Sequence, residues 1–403
     1  MNLVSDPKSI TAANALSPEA SQAATLAGST GVLTIDLEAI VANWRRLEKT
    51  GVPAECAGVV KADAYGCGID PVTRALAAAG CKTFFVATLD EARAARAAAK
   101  SAAIYVLDGF FQNSGDAFAQ IGCQPVIGDL NELAEWDLFC KRTGWKGGAA
   151  IHIDTGLNRL GLPIVDAQSI VPRIAAGDHG ITLVMSHLAC AEMLHHPLNA
   201  RQVAAFREIA SLLSGVPASL ANSSGIFLGS QFVFDMVRPG AAVYGVNPTP
   251  EADNPMQGVV DLKARIAQIR HVERGDGVGY GAVWTARRPT RLAIVAAGYA
   301  DGYFRAAGSN DGTRGAEVVV AGKRCPVAGR ISMDLLAVDV TDVPNSAVRR
   351  GHLVTLIGEG VTVDELAHHF GTTGYEVLTS LGRRYARVYK GGSGSSEPAA
   401  ASP

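Results

Sequence analysis

Between residues 31 and 250 short apolar runs alternate with longer amphipathic stretches. The runs fall at 57–61, 83–87, 103–107, 124–127, 149–154, 181–187, 217–222 and 236–245. Their apolar positions are consecutive rather than every second one, which suits strands of a parallel sheet covered on both faces. The stretches between them have helical spacing. Leu37, Ile40, Val41, Trp44 and Leu47 form one stripe with Asp36 placed as its N-cap. Thr88 with Glu91 reads as a capping box. Asp129 and Glu132 open a further helix, with Leu133, Trp136 and Cys140 turned inward and Gly144 as its stop. Val203, Phe206, Ile209 and Leu213, ended by Gly215, make another. About eight such units with no nucleotide-binding glycine loop predict a closed (β/α)8 TIM barrel within the α/β class.

After residue 250 the texture changes. The turn-rich segment ADNPMQG is followed by short β-type runs (LKARIAQIRHV, RLAIVAAGY, AEVVVAG, LLAVDV, HLVTLIG), interrupted by one helical stretch, VDELAHHFG. The expected organisation is a flexible arm over 1–30, a barrel over 31–255, a second, mostly β domain over 256–390 and a disordered tail over 391–403.

Composition narrows the function classes. Thirty-six basic and 38 acidic residues leave a formal charge of −2 with no dense basic run, so a nucleic-acid footprint is missing. The seven cysteines are scattered with no C-x-x-C pair, which excludes a zinc ribbon by spacing and suits a reducing cytoplasm. No apolar run approaches the roughly 18 residues of a membrane span, and the first 30 residues lack the apolar core of a secretory signal.

Candidate chemistry gathers at strand ends, where a barrel carries its active site. Lys61 ends the strand AGVVK. It reads either as a lysine reaching out to solvent or as one whose pKa is lowered for Schiff-base or general-base work. In HIDTGLNRLG, Asp154, Thr155, Asn158 and Arg159 form either a capped turn or an anion site using the arginine fork. His187 sits at the end of another strand, as a hydrogen-bonded structural residue or as a ring that stacks on an aromatic cofactor. Adjacent His195 and His196 lack the partners a metal needs, so no metal is expected. LANSSG and VRPGAAVYG end the last two strands, where barrels often bind phosphate. Ser223 and the amides near Gly240 and Ala241 are its donors, with Arg238 aimed at the same place. The glycines of GDGVGYGAVW have the wrong spacing for a dinucleotide fingerprint, and that hairpin instead presents Tyr280. A lysine, a phosphate site and surrounding Arg, His and Tyr groups are the layout pyridoxal phosphate needs on a barrel.

The motifs VVKADAYGCG, DTGLNRLG, SHLACAE, ANSSG, VRPGAAVYG, GVGYGAVW, AGYADG, GRISMD and GYEV occur in this order. With them the chain resembles the bacterial alanine racemases from about residue 31 to residue 390. The resemblance implies an isomerase that interconverts L- and D-alanine with pyridoxal 5'-phosphate, using Lys61 and Tyr280 as two bases. It implies that Lys61 also holds the cofactor and that Arg159 contacts the cofactor and the substrate carboxylate. His187 would stack near the ring, and Arg238 would meet its pyridine nitrogen. Tyr65, Asn222, Ser223, Gly240, Ala241 and Tyr375 would surround the phosphate. Met333 would help bind the substrate carboxylate, with Asp334 beside it, and Tyr299 would line the approach. A cytoplasmic homodimer is implied, Tyr280 being contributed across the interface, as is supply of D-alanine for peptidoglycan or catabolic use of alanine.

One position departs from the family. The lysine, often carbamylated, that commonly lies seven residues before the motif arginine is replaced by His152. The rival readings are a serine or broad-specificity racemase of the same fold, a barrel-type decarboxylase, and a non-catalytic cofactor-binding barrel. The absence of a decarboxylase phosphate loop opposes the second. The domain carrying Tyr280 opposes the third.

Overall fold

A computed structural model describes residues 28–176 and 180–391. The arm expected over 1–30 and the tail over 391–403 fall almost wholly outside the described residues. The first strand, β1 (Gly31–Asp36), leads into α1 (Leu37–Thr50), whose N-terminus is capped by Asp36 accepting from Ala39 N–H. Nine short strands follow: β2 (Glu55–Cys56), β3 (Gly58–Val59), β4 (Thr83–Val86), β5 (Ala103–Val106), β6 (Gln124–Ile127), β7 (Ala149–His152), β8 (Ile181–Met185), β9 (Ala218–Ser219) and β10 (Met236–Val237). All pair in parallel in chain order, and β10 returns to β2. Because β2 and β3 are one stave broken at Ala57, the nine segments form eight staves of a closed barrel, as the sequence predicts. Closure is completed by Ala57 N–H donating to Val237 O and Val59 N–H to Pro239 O.

The helices that matter below are α2 (Ile69–Ala78), α3 (Leu89–Ala98), α4 (Gly115–Ile121), α5 (Leu130–Thr143) and α6 (Pro197–Leu212). The capping box at Thr88 and Glu91 and the caps at Asp129 and Gly144 form as expected. Two expectations shift. The helix containing Phe206 ends at Leu212, with Gly215 beyond it in a positive-φ turn. The run at 236–245 is extended only over Met236–Val237, because Gly240 turns the chain into a 3-10 helix at Ala241–Tyr244.

Inside the staves, side chains at alternate positions form a small interior cluster: Ala57, Val59, Phe85, Tyr105, Val126, Ala150, Leu183, Met185 and Met236. The intervening positions, such as Val60, Phe84, Ile104 and Ile151, pack outward into the larger core beneath the helices. Two-residue periodicity therefore directs Lys61, His152, His187 and Arg238, each two residues beyond an interior member, toward the C-terminal mouth of the barrel.

The second domain comprises β11 (Val260–Val272), β12 (Gly277–Val278), β13 (Trp284–Thr285), β14 (Thr290–Val295), β15 (Glu317–Val320), β16 (Lys323–Pro326), β17 (Leu336–Asp339), β18 (Leu353–Ile357) and β19 (Ala386–Lys390), with α7 (Val363–Phe370) and α8 (Gly374–Ser380). Eight strands make one sheet, and β12–β13 stands apart as a hairpin. The sequence places residues 31–36 in the barrel. They instead lie in this second sheet, β1 pairing antiparallel with β11 and parallel with β19. Alternating burial along β1 explains the placement: Gly31, Leu33 and Ile35 are buried while Val32, Thr34 and Asp36 are half-buried, the signature of a strand covered on one face. Among the described residues no helix is long and apolar enough to cross a membrane, and all seven cysteines are unpaired.

The two domains meet tightly at Gly66, whose φ of 79° suits glycine. A β-carbon there would stand 2.5 Å from the carbonyl oxygen of Leu378 in α8, and Arg387 in β19 donates to the Gly66 carbonyl at 3.5 Å. Gly66→Ala should therefore lower unfolding stability by about 2 kcal/mol. Urea denaturation followed by circular dichroism would read the change, and an unaltered midpoint would show that the contact yields freely.

Candidate active site

Immediately after Lys61 the backbone makes a left-handed turn. Ala62, Asp63, Ala64 and Tyr65 have φ values of 53°, 52°, 53° and 55°. At about 1–2 kcal/mol for each non-glycine residue, such a run must be over-determined by its surroundings. Gly66 N–H donates to Ala62 O at 2.8 Å, Gly68 N–H to Asp63 O at 2.8 Å, and Ile69 N–H to the Asp63 carboxylate at 2.8 Å. The turn leaves Lys61 half-buried at the mouth. Burial, and secondarily the Arg159 guanidinium, pull its amine below the ordinary lysine range, partly opposed by Asp108 and Glu91.

Tyr65, carried by the same turn, stacks on Tyr244 with ring centroids 4.5 Å apart, and Tyr244 donates its hydroxyl proton to Val59 O at 2.9 Å. Burial, with Tyr375 of α8 nearby, pushes the Tyr65 phenol upward. A β-carbon on Gly240 would stand 2.3 Å from the Tyr65 hydroxyl, so glycine keeps a small cradle open between them. Ser223 borders the same cradle. Its hydroxyl oxygen accepts from Gly240 N–H at 3.0 Å and Ala242 N–H at 3.1 Å, leaving the hydroxyl proton to be donated elsewhere. Asn222 instead caps its own turn, accepting from Gly225 N–H at 2.9 Å.

Arg238 is fully buried in the top interior layer. It donates to Ser219 Oγ and, at 2.6 Å, to Ser186 O, and it lies 5.7 Å from the centroid of Phe85. No carboxylate pairs with it among the described residues, and burial pulls its pKa down to about 9. His187 is held well below its ordinary value by burial, then by Arg238 and Arg159, with smaller effects from His152 and Lys61. Burial and the same two guanidiniums bring His152 to about 4. Lys61, Arg159, His187, Arg238 and His152, the position that departs from the family, thus converge on one cationic mouth. Arg159 itself is exposed. It follows a turn in which the Asp154 carboxylate accepts from the amides of Gly156, Leu157 and Asn158. Asp154 is therefore a turn cap.

Tyr280, Tyr299 and Met333 are not brought to Lys61 within this chain. They are 72%, 44% and 52% exposed on the second domain. Tyr280 rides a turn at the β12–β13 hairpin, where Gly281 packs against Arg330. Met333 O accepts from Ala300 N–H, and Asp334 pairs with Arg384 at 2.5 Å. His196 Nδ1 accepts from Leu198 N–H and so caps α6. Sequence reasoning missed Gln202, a buried polar residue of α6. It accepts from Ala189 N–H at 2.9 Å and donates to Thr155 Oγ1 at 3.2 Å and His187 O at 2.9 Å. Its signal was a glutamine beside the apolar Val203–Phe206 stripe.

Residues 35–248 match the family model for the alanine racemase N-terminal domain, and residues 259–389 that for the C-terminal domain. The chain belongs to the alanine racemase family. The alanine racemase of Methylobacterium nodulans is 52% identical over 361 residues, covering 90% of this chain and 96% of that one. The alanine racemase of Agrobacterium fabrum named biosynthetic is 43% identical, covering 89% and 93%. The solved structure of the Bartonella henselae alanine racemase with covalently bound pyridoxal phosphate superposes with a TM-score of 0.84 at 39% identity, covering 90% of this chain and all of that one.

The depressed His152 pKa links the mouth to stability. Between its ordinary 6.5 and about 4 the unfolded chain binds a proton that the folded chain does not, so stability falls as pH drops through this window. His152→Gln should remove about 2 kcal/mol of the loss that the native chain suffers between pH 7 and pH 4.5. Urea titrations at both pH values measure it, and equal losses in the two proteins would refute it.

Proposed function

We propose that this chain interconverts L-alanine and D-alanine with pyridoxal phosphate, using Lys61 and Tyr280 of a second copy as bases on opposite faces of the substrate. The observation that carries the reading is the convergence of Lys61, buried Arg238 and the Gly240 cradle at one barrel mouth. The residues present fit the cofactor. The cradle bordered by Tyr65, Ser223 and Gly240 is one that a β-carbon would fill, and the amides and hydroxyls there are suited to a phosphate. By family resemblance Asn222, Ala241 and Tyr375 would complete its surroundings, and Lys61 would supply the amine that holds the cofactor. Pyridoxal phosphate, when bound, withdraws electrons from the amino-acid Cα and so acidifies its proton.

Racemisation removes the Cα proton from one face and returns one to the other, so two bases flanking the carbon are the direct solution. The Lys61 amine serves one face, and its lowered pKa favours the neutral base nearer neutrality. Tyr280 serves the other. Its 72% exposure within one chain favours its insertion into a second copy's barrel, with Tyr299 and Met333 of the same surface lining that site. Arg159 binds the substrate carboxylate through its fork. Arg238 would face the pyridine nitrogen of the bound cofactor, where a guanidinium still charged near pH 7 could donate a hydrogen bond but not accept a proton. His187, its pKa lowered by burial and by Arg238 and Arg159, would lie beside the cofactor ring.

The Agrobacterium fabrum enzymes named biosynthetic and catabolic are 43% and 42% identical to this chain, so both supply of D-alanine for peptidoglycan and catabolic use of alanine fit the proposed reaction. Seven unpaired cysteines, five of them buried, suit the cytoplasm. The purified chain should convert L-alanine well ahead of L-serine, and Lys61→Ala should abolish the conversion, as read by chiral chromatography. Equal or faster serine turnover would overturn the substrate assignment. Lys61→Ala and Tyr280→Ala proteins, each inactive, should regain activity when their subunits exchange. No recovery after demonstrated exchange would place both bases in one chain.

A further inference from the structure

Four side chains tie neighbouring staves together beyond the point where their ladders end, and they do so in alternate pairs. Glu91 joins the loops after β3 and β4, with Oε1 accepting from Ala62 N–H at 2.6 Å and Oε2 from Ala87 N–H at 2.8 Å. Glu132 repeats the device for β5 and β6, accepting from Phe110 N–H and, at 2.8 Å, from Gly128 N–H. Gln202 joins the loops after β7 and β8 through Thr155, His187 and Ala189. Ser223, after β9, accepts from the amides of Gly240 and Ala242 after β10. Both glutamates occupy the third position of the helix that follows the second stave of their pair. Each fixes two strand-end loops through one rigid carboxylate.

The bond from Glu91 falls on the peptide that directly follows Lys61. Ala62 opens the left-handed turn at φ 53°, a conformation that persists only where surroundings impose it. A charge-assisted bond at 2.6 Å satisfies its amide and sets the plane of the Lys61–Ala62 peptide relative to β4. We propose that Glu91 is a positioning residue for Lys61, aiming the lysine amine into the barrel mouth by clamping the Ala62 amide to the end of β4. Glu132 makes the same clamp where neither Phe110 nor Gly128 adjoins a residue of the candidate site, so it separates positioning from plain stabilisation.

The proposal rests on Lys61 being the residue that captures the cofactor, and one experiment reads both. Full-length protein stripped of cofactor is mixed with pyridoxal phosphate, quenched with borohydride at timed intervals, and the adduct is located by peptide mass. Native protein should carry it on Lys61. Glu91→Gln keeps the side chain's size but turns an amide group toward one of the two N–H donors. It should slow capture and lower kcat by about tenfold, the scale expected when a reacting group is misplaced, with KM for alanine within about twofold of native. Glu132→Gln should lose similar stability in urea yet capture and turn over at the native rate. If Glu91→Gln fails to fold, Glu91→Asp, which keeps the charge but shortens its reach, should show the same slowing. An adduct on Lys61 formed at the native rate by the Glu91 variant would overturn the positioning role alone. So would equal slowing in the Glu91 and Glu132 variants. An adduct on another residue would overturn the Lys61 reading and this proposal with it.

Discussion

Two-residue periodicity in the staves is the constraint on which the site depends. Once Val59, Ala150, Met185 and Met236 are committed to the barrel interior, the residue two places on must also point inward, at the level where the barrel opens. His152 ends its strand at that level, and Lys61, His187 and Arg238 reach it from the first residues beyond β3, β8 and β10. A shift of one residue in any stave would turn its side chain out beneath the helices and replace it with Val60, Ile153 or a similar apolar neighbour. Register and chemistry are fixed by the same hydrophobic burial.

The convergence has an electrostatic cost. Two guanidiniums, an amine and two imidazoles share one space, and among the described residues no carboxylate pairs with the buried Arg238. The groups that can lose a proton respond accordingly: both histidines are driven toward neutrality and the lysine amine is pulled down. Arg238 stays charged near neutrality because its guanidinium is satisfied by Ser219, Ser186 and the face of Phe85. Such a site stores an affinity for anionic ligands, which relieve the mutual repulsion when they arrive.

The barrel and its helices were legible because their signals are local. Asp36, Thr88 with Glu91, and Asp129 are read within a few residues of the groups they cap, and strand-end positions follow from counting. The family motifs carried the site assignments. What escaped was non-local. Gln202 bridges two strand ends from a helix, and Glu91 was read as a cap while its second oxygen reached Ala62. The left-handed turn was equally hidden, since Ala62 and Ala64 have no preference for positive φ and adopt it only under tertiary constraint. The strand Gly31–Asp36 was misplaced because adjacency in sequence suggested the barrel, whereas its partners lie in residues 260–264 and 386–390.

That misplaced strand bears on how the molecule is made. β1 emerges first from the ribosome, yet it finds β11 only after more than 220 further residues and β19 only at the end of the sheet-forming chain. The barrel lies wholly between β1 and β11 in sequence, so β1 stays an unpaired, half-apolar strand until residues beyond the barrel have been made. Because β1 sits between β11 and β19, the second sheet is complete only when both ends of the folded chain are present. A chain ended before residue 386 would carry β1 instead of β19 at the edge of that sheet, its backbone groups open to pairing with other chains.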